Sequence, residues 1–210
     1  MNAPSFYNEW AWDFVASTMH RNPRLVEWLL SVAQRTPYEH LGKYMQRWWL
    51  LPPAVKPEHP EFRSIRNQVR RLRRNARLHL IMRADQEPYP HNHPWEFRTL
   101  VLRGWYVEEL LLKDGTVTRN VVWAGQSYKR TPDQFHRIVA VAPGGVLTLV
   151  LHRTKKPTSW WGFLVNGKCI HWRIFQEIMA AGRGWDPSIE SQAATYAELN
   201  STSFRLSGDN

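Results

Sequence analysis

The chain has 210 residues, 43% of them hydrophobic, which is enough for one folded domain with a sizeable core. Its single cysteine, Cys169, excludes an intrachain disulfide framework and indicates a reducing compartment, so we expect a cytoplasmic protein. The sequence has no run of 18 apolar residues, so a membrane-spanning helix is not expected. Its N-terminal residues lack the pattern of a secretory signal. We therefore expect no membrane partner.

The net charge of +10 is unevenly distributed. Residues 186–210 carry one arginine against four acids, so the rest of the chain has a net charge of +13. A basic body favours an anionic partner, which could be a small anionic molecule, a nucleotide or a nucleic acid. Solubility alone would explain the charge equally well.

The N-terminal part of the chain has the start signals of helices. Asn22-Pro23 predicts an N-cap followed by proline at the first helical position. A capping box at residues 36–39 predicts a further helix. Four residues would share one side of it: Leu41, Tyr44, Met45 and Trp48. Four prolines within 51–62 predict an irregular connector, so 1–62 is interpreted as a helical segment and its connector.

Residues 63–77 contain seven arginines and no acid. We assign 63–76 as a separate Arg-rich segment, either a short basic helix or an extended arm with a solvated face. The alternative is a surface that contacts nucleic-acid phosphates. The candidate contacts are Arg63, Arg66, Arg70, Arg71, Arg73, Arg74 and Arg77. No helix-turn-helix or zinc-finger pattern accompanies them, so sequence-specific DNA binding is not expected.

From residue 77 the hydrophobic pattern changes to period two, which is typical of β-strands. Asp114-Gly115 predicts a type I′ hairpin turn, and Asn166-Gly167 predicts the tip of a final hairpin. Residues 173–182 predict a closing helix that ends at Gly182. At least six short strands separated by turns predict an all-β sandwich or barrel over 77–184, followed by a loose polar tail, 185–210. We expect one structural domain.

Three histidines form the main candidate site. His91 and His93 are two residues apart, and in an extended segment such side chains point to the same face. Imidazole is a good ligand for iron, zinc, copper and nickel. His136 in the stretch TPDQFHR follows a turn and is the best third ligand. His152 and His171, in late strands, are interpreted as structural histidines.

The stretches HNHPWEFRTLVLRGWYVEE, TPDQFHRI, WWGF and HWRIF carry a family resemblance. The chain resembles the cupin superfamily over about residues 77–175, and its local pattern is similar to small cupins of bacteria and bacteriophages. The motif positions are His91, His93, Glu96 and Gly104, then Gly125, Pro132 and His136. The resemblance implies a mainly β fold. It predicts a jelly-roll (double-stranded β-helix) barrel with N-terminal helices and a short C-terminal helix.

The resemblance also implies a divalent transition metal, with iron favoured and zinc, manganese or nickel as alternatives. His91, His93 and His136 would hold it, and Glu96 occupies the position of the family's glutamate ligand. Strict strand alternation from His93 nevertheless places Glu96 on the opposite face. Glu108 and Glu109 on the following strand are the alternatives.

Further polar side chains are candidates for binding an anionic ligand inside the barrel. They are His79, Arg83, Arg98, Tyr106, Glu108 and Arg137. Inward arginines could clamp a carboxylate or phosphate, whereas the alternative is a salt bridge with a nearby acid. Alternation directs Arg98 and Arg137 away from the face of the histidines.

Three functions remain open at this point. The first is a metal-dependent enzyme, a dioxygenase, hydroxylase or isomerase with the oxygenase type favoured, acting on a small anionic or nucleotide-like substrate. The His-x-His pair gives no support to a 2-oxoglutarate mechanism. The second is a non-catalytic cupin that binds a ligand or nucleic acid. The third is a structural or assembly protein, for instance a homodimer, for which exposed aromatics in RWWLLPP would provide an interface.

Overall fold

The fold was analysed in a computed structural model, which describes residues 8–36, 40–51, 74–153 and 161–180. These residues form three helices, α1 (Glu9–His20), α2 (Pro23–Ala33) and α3 (Trp172–Ala180). They also form ten strands. In chain order these are β1 (Met45–Leu51), β2 (Arg74–Ile81), β3 (Phe97–Arg103), β4 (Trp105–Leu111), β5 (Val117–Trp123), β6 (Ser127–Arg130), β7 (Phe135–Val141), β8 (Val146–Arg153), β9 (Gly162–Val165) and β10 (Lys168–His171). The proline-rich connector, Arg63 to Arg73, Gly182 and the polar tail lie outside the described residues.

Two antiparallel sheets form the body of the fold. The larger has the strand order β1-β2-β8-β3-β6, and the smaller has the order β5-β4-β7. From β3 onward the chain alternates between the two sheets, returning to the larger one at β6 and β8. His91 also forms a bridge to His136 on the free side of β7, which extends the smaller sheet. This order is that of a jelly roll, so the mainly β fold predicted from the cupin resemblance is confirmed.

Helices α1 and α2 cover the outer face of the larger sheet. Asn22 caps α2 as predicted, since its side chain accepts a hydrogen bond from the Leu25 backbone N–H at 3.1 Å, with Pro23 at the first helical position. The helices and the sheet share one apolar core. Its fully or nearly buried members are Trp12, Ala16, Val26, Leu29, Ala33, Trp48, Ala76, Leu78, Leu100, Leu102, Leu147 and Leu149. Burying the apolar sides of α1 and α2 against the sheet stabilises both helices.

The helix predicted after the capping box is wrong over its described part, because Met45–Leu51 forms strand β1. This strand pairs antiparallel with β2, with Met45 opposite Ile81 and Trp48 opposite Leu78. Aromatic residues suit a strand, and pairing with β2 overrides the local helical pattern. Trp48 is buried in the core, and Trp49 is half-buried and packs on Arg77. Neither ring is fully exposed, and the homodimer stays a prediction.

Two hairpin turns show different geometries. Asn166 and Gly167 both have positive φ, 49° and 79°, as a type I′ turn requires, so the predicted hairpin tip is confirmed. The type I′ turn predicted at Asp114-Gly115 is wrong, because only Gly115 has a positive φ. The loop there spans three residues and is closed by the Leu112 N–H donating to Thr116 O at 2.8 Å.

Gly104 links β3 to β4, where the chain passes from one sheet to the other. Its φ is +80°, and a Cβ atom on it would lie 2.7 Å from the backbone oxygen of Gly145. A side chain is excluded there by both the backbone conformation and the close approach. Helix α3 and the β9–β10 hairpin pack together through Val165, Ile170 and Phe175 at one end of the barrel. No helix within the described ranges is long and apolar enough to cross a membrane.

Candidate metal centre and its cavity

The barrel interior is filled at one end and open at the other. An apolar cluster fills the closed end and consists of Ile81, Val101, Tyr106, Val122, Ile138 and Val146. Beyond it lies a cavity of about 640 Å³. Period-two alternation decides which side chains reach it, so Phe97 and Thr99 of β3 line the cavity whereas Arg98 between them points outward.

His91, His93 and His136 converge on one point of the cavity wall. One ligand nitrogen from each lies within 4.8 Å of the other two, and Nε2 of His93 is 3.0 Å from Nε2 of His136. Reciprocal backbone hydrogen bonds of 2.9 Å between His91 and His136 fix the two segments against each other. The extended segment and β7 therefore deliver the three imidazoles together, as the sequence motif predicted.

One of the distances between these nitrogens fits a shared transition-metal ion. Two imidazole nitrogens that each lie about 2.1 Å from one ion are roughly 3.0–3.4 Å apart in octahedral or tetrahedral geometry. The 3.0 Å between His93 and His136 meets this requirement. A site with three neutral protein ligands leaves coordination positions open to small molecules.

Glu108 of β4 orients His136. Nδ1–H of His136 donates to Oε1 of Glu108 at 2.7 Å, and Nε and Nη2 of Arg130 donate to the same carboxylate. Burial alone would raise the pKa of Glu108, but its bonds to His136 and the charge of Arg130 lower it to about 2. The carboxylate can only accept, so Nδ1 of His136 is the donor and Nε2 is the nitrogen that faces the cavity.

Asp85 lies behind His91. Its Oδ2 is 3.9 Å from Nδ1 of His91 and accepts a hydrogen bond from the Ile138 N–H at 2.8 Å. Its Oδ1 accepts one from the hydroxyl of Tyr44 at 2.5 Å. Burial, and then the charge of Asp85, raise the pKa of Tyr44 well above its usual value, so this hydroxyl remains a donor. Asp85 is thus held in place close to a second imidazole.

The two clustered histidines of the extended segment are uncharged at neutral pH. Burial, and then the neighbouring His136, lower the pKa of His91 to about 4. The same two causes lower the pKa of His93 well below its usual value. A metal ion binds the neutral imidazole, so burial holds both rings in the form that can act as ligands.

The three candidate glutamates point to different places. Glu96 forms an ion pair with Lys129 at 3.8 Å and does not belong to the histidine cluster, as strand alternation predicted. Glu109 points outward and pairs with Arg119 and Arg137. Glu108 lines the cavity but contacts the cluster through His136, so it acts as a support for a ligand.

Two arginines predicted as anion-binding candidates are wrong in that role. Arg98 is fully buried outside the cavity and donates to both oxygens of Glu9 on α1, each at 2.7 Å. Arg137 donates to Glu109 and to the backbone oxygen of Pro88. The acidic partner of Arg98 is 89 residues away in the sequence, and that of Arg137 lies on the neighbouring strand β4. Alternation along a single strand cannot identify such partners.

The other anion-binding candidates do line the cavity. His79 belongs to the wall, Tyr106 belongs to the apolar end, and Arg83 donates to Ala84 O and to Gln86. Arg77 was assigned to a nucleic-acid surface, which is wrong. It lies within β2, is buried, and faces the cavity, because the strand begins three residues earlier than the sequence pattern indicated.

Several cavity residues were missed at the sequence level. Arg130 and Asp85 lie behind the triad, whereas Thr148 and His152 of β8 line another part of the wall. The alternation in VLTLVLHR would have placed Thr148 and His152 on one face. It could not have shown which face was internal, because that depends on the pairing of β8 with β2 and β3.

No known protein-family model matches the sequence, and neither does any curated protein. Solved structures with a similar fold include a variant of oxalate decarboxylase from Bacillus subtilis (13% identity, TM-score 0.46), of which this chain covers 36% with 73% of its own length. A 7S globulin of Momordica charantia is 11% identical with a TM-score of 0.46, covering 64% of this chain and 37% of that one. Hydroxypropylphosphonic acid epoxidase from S. wedmorenis is 12% identical with a TM-score of 0.39, covering 58% and 56%. The likeness concerns the fold.

Proposed function

We propose that this protein is a metal-dependent enzyme of the cupin type, in which His91, His93 and His136 hold a divalent transition metal. Iron is the favoured ion, and the favoured reaction is an oxygenation of a small anionic or nucleotide-like molecule. The observation that carries the proposal is the convergence of three imidazole nitrogens within 4.8 Å at the wall of an internal cavity.

The donor set supports a catalytic rather than a structural metal. Structural sites are usually closed by four protein ligands, whereas three ligands leave positions for substrate. Glu96 pairs with Lys129 instead of completing the set. A bound iron ion would supply redox chemistry and act as a Lewis acid at these open positions.

The chain's own residues would position the ligands and the substrate. Glu108, held by Arg130, fixes the tautomer and the ring plane of His136. Phe97 packs against the edge of His93 with ring centroids 4.8 Å apart, which restricts that ring. Aromatic side chains, among them Trp95, Phe97 and Phe163, line the cavity beside the histidines and would face a bound substrate.

Metal analysis of the full chain, purified without added metal, tests this proposal. We expect about one transition-metal ion per chain, and less than about a tenth of that in the His91→Ala His93→Ala double variant. His40→Gln is the matched control, because His40 lies outside the cluster and bonds to the Arg47 N–H at 3.0 Å. Equal metal content in the double variant and the wild type would refute the proposed site.

A further inference from the structure

The wall of the cavity formed by β1, β2 and β8 carries polar side chains that the histidine triad does not use. Strands β2 and β8 pair antiparallel, with His79 directly opposite Thr148. The polar residues of this wall that line the cavity are Arg47, Arg77, His79, Thr148 and His152. They form a second polar cluster inside the barrel.

Two groups of this wall are buried hydrogen-bonding atoms with no partner among the described residues. They are the hydroxyl of Thr148, a residue that is 1% exposed, and Nε2 of His79. Buried polar atoms in folded proteins are nearly always hydrogen-bonded. Two such atoms on directly opposed residues of one cavity wall indicate a place where a ligand supplies the missing partner.

The surroundings of His79 are basic. Burial, followed by the charges of Arg77, Arg47 and His152, lowers the pKa of His79 to about 3. The ring is therefore neutral at neutral pH and can donate one N–H without carrying a charge. The two arginines among these neighbours, Arg77 and Arg47, carry positive charges that would attract an anion.

Arg77 is fixed by aromatic stacking. Its Cζ atom lies 4.1 Å from the ring centroid of Trp49 and 5.3 Å from that of Trp95. Trp95 also contacts His93, at 6.5 Å between ring centroids. Trp95 thus spans the distance between this wall and the metal cluster, and the guanidinium is held in a preset orientation.

We propose that Arg77, His79 and Thr148 form a subsite that binds an oxyanion, the carboxylate or phosphate group of a small substrate. This inference rests on the proposed function and specifies its substrate class. The adjoining cavity wall is aromatic, with Trp95, Phe97 and Phe163. The ligand is therefore a small molecule with an oxyanion attached to a flat apolar body, oriented with that body toward the metal ligands.

Two other arginines that line the cavity, Arg130 and Arg83, already donate to groups of the protein. Arg130 donates to the Glu108 carboxylate through Nε and Nη2, so its charge is balanced within the protein. Arg83 donates to Ala84 O and to Gln86, each at 3.0 Å. The wall around His79 combines the buried polar atoms of His79 and Thr148 with the nearby positive charges of Arg77 and Arg47.

Calorimetric titration of the full chain after removal of metal with a chelator tests the subsite separately from the triad. The probes are benzoate, phenyl phosphate and the neutral amide benzamide. We expect benzoate or phenyl phosphate to bind at least about ten-fold more tightly than benzamide. Tighter binding of benzoate would indicate a carboxylate substrate, and tighter binding of phenyl phosphate would indicate a phosphate ester.

Three variants locate the binding. Thr148→Val keeps the shape of the side chain and removes its hydroxyl, and we expect the affinity for the preferred anion to fall about ten-fold. Arg77→Gln should reduce it by at least as much. Arg119→Gln is the matched control, because Arg119 is an exposed arginine that pairs with Glu109, and it should leave the affinity unchanged.

Three results would overturn the subsite. They are no binding of either anion at millimolar concentration, equal binding of benzamide, or wild-type affinity in a folded Thr148→Val variant. The His91→Ala His93→Ala variant separates the two proposals. Anion binding that persists in this metal-free variant would uphold the subsite independently of the triad. A wild-type chain that binds the anion but contains no transition metal, or a double variant that keeps its metal, would refute the metal enzyme while leaving the subsite in place.

Discussion

The two polar walls of the barrel satisfy their hydrogen bonds in different ways. On the wall of β4, β6 and β7, Glu108 accepts from both His136 and Arg130, so each buried charge has a protein partner. On the wall of β2 and β8, Thr148 and His79 present buried atoms with no partner among the described residues. A satisfied network holds one arrangement of a ligand set, whereas unpartnered donors at a cavity are suited to binding something from outside.

Removing the carboxylate of Glu108 should have the largest effect. Glu108→Ala leaves the buried Arg130 guanidinium without its acid and His136 Nδ1–H without its acceptor. Breaking a buried ion pair in this way costs about 3–5 kcal/mol of unfolding free energy. We expect metal affinity to fall by about 10–100-fold as well, because an orienting partner of a metal ligand is lost. Chemical denaturation and metal competition measure the two effects.

Glu109→Gln is the matched control for that change. Glu109 is the next residue on β4 but points outward, where it pairs with Arg119 and Arg137. Partly exposed pairs of this kind contribute less than about 1 kcal/mol. The control should therefore lower stability slightly and leave metal affinity unchanged. A large loss of metal affinity in Glu109→Gln would mean that the effect of Glu108 is not specific.

A third ion pair, between Arg98 and Glu9, should contribute to stability and not to metal binding. Arg98 is fully buried, whereas the Glu9 side chain is 55% exposed. We expect Glu9→Gln to cost about 2 kcal/mol, because hydrogen bonds to a charged guanidinium are weakened. Metal content should stay at the wild-type level, since Glu9 lies on α1 outside the cavity. Loss of metal in a folded Glu9→Gln variant would contradict this separation.

The Arg98–Glu9 pair also predicts a pH dependence. Its hydrogen bond with Arg98 lowers the pKa of Glu9 below the usual glutamate value. The stabilisation is complete above the usual value and is lost as the pH falls through the lowered value in the folded protein. In Glu9→Gln this acid-induced loss should be smaller than in the wild type. Denaturation midpoints measured in both proteins at several acidic pH values check it.

Thr148→Val should have a small effect on stability, and of the opposite sign to the loss of an ion pair. The hydroxyl of Thr148 is buried without a protein partner among the described residues, and valine has the same shape without the polar atom. We expect the unfolding free energy to rise by about 1 kcal/mol. A loss of stability would show that the hydroxyl is already bonded in the protein and would weaken the contrast between the two walls.

The histidine cluster could be predicted because short stretches of sequence, around His91–His93 and around His136, carry the pattern that identifies it. His91 and His93 share a face by simple alternation, and the motif around His136 supplied the third ring. The roles of Arg98 and Arg137 could not be found in this way. Arg98 pairs with Glu9, 89 residues away in the sequence, through the packing of α1 on the sheet.

The prediction failed where pairing decides the structure. Leu41, Tyr44, Met45 and Trp48 recur at helical spacing, yet Met45–Leu51 pairs with β2 as strand β1. Arg77 was grouped with its arginine-rich neighbours in sequence, but the register of β2 turns it into the barrel between Trp49 and Trp95. Whether a strand residue points into or out of the barrel depends on which strands it pairs with and in which register. The sequence pattern of one strand does not show this pairing.

X-ray absorption spectroscopy at the metal edge of the metal-loaded full chain tests the central claim most directly. Three histidine ligands predict about three imidazole nitrogens at roughly 2.0–2.2 Å from the ion, with oxygen ligands completing the shell. The imidazole scattering should disappear in the His91→Ala His93→Ala variant. A wild-type spectrum with no imidazole ligands, or one that the double variant reproduces, would contradict the proposed metal centre.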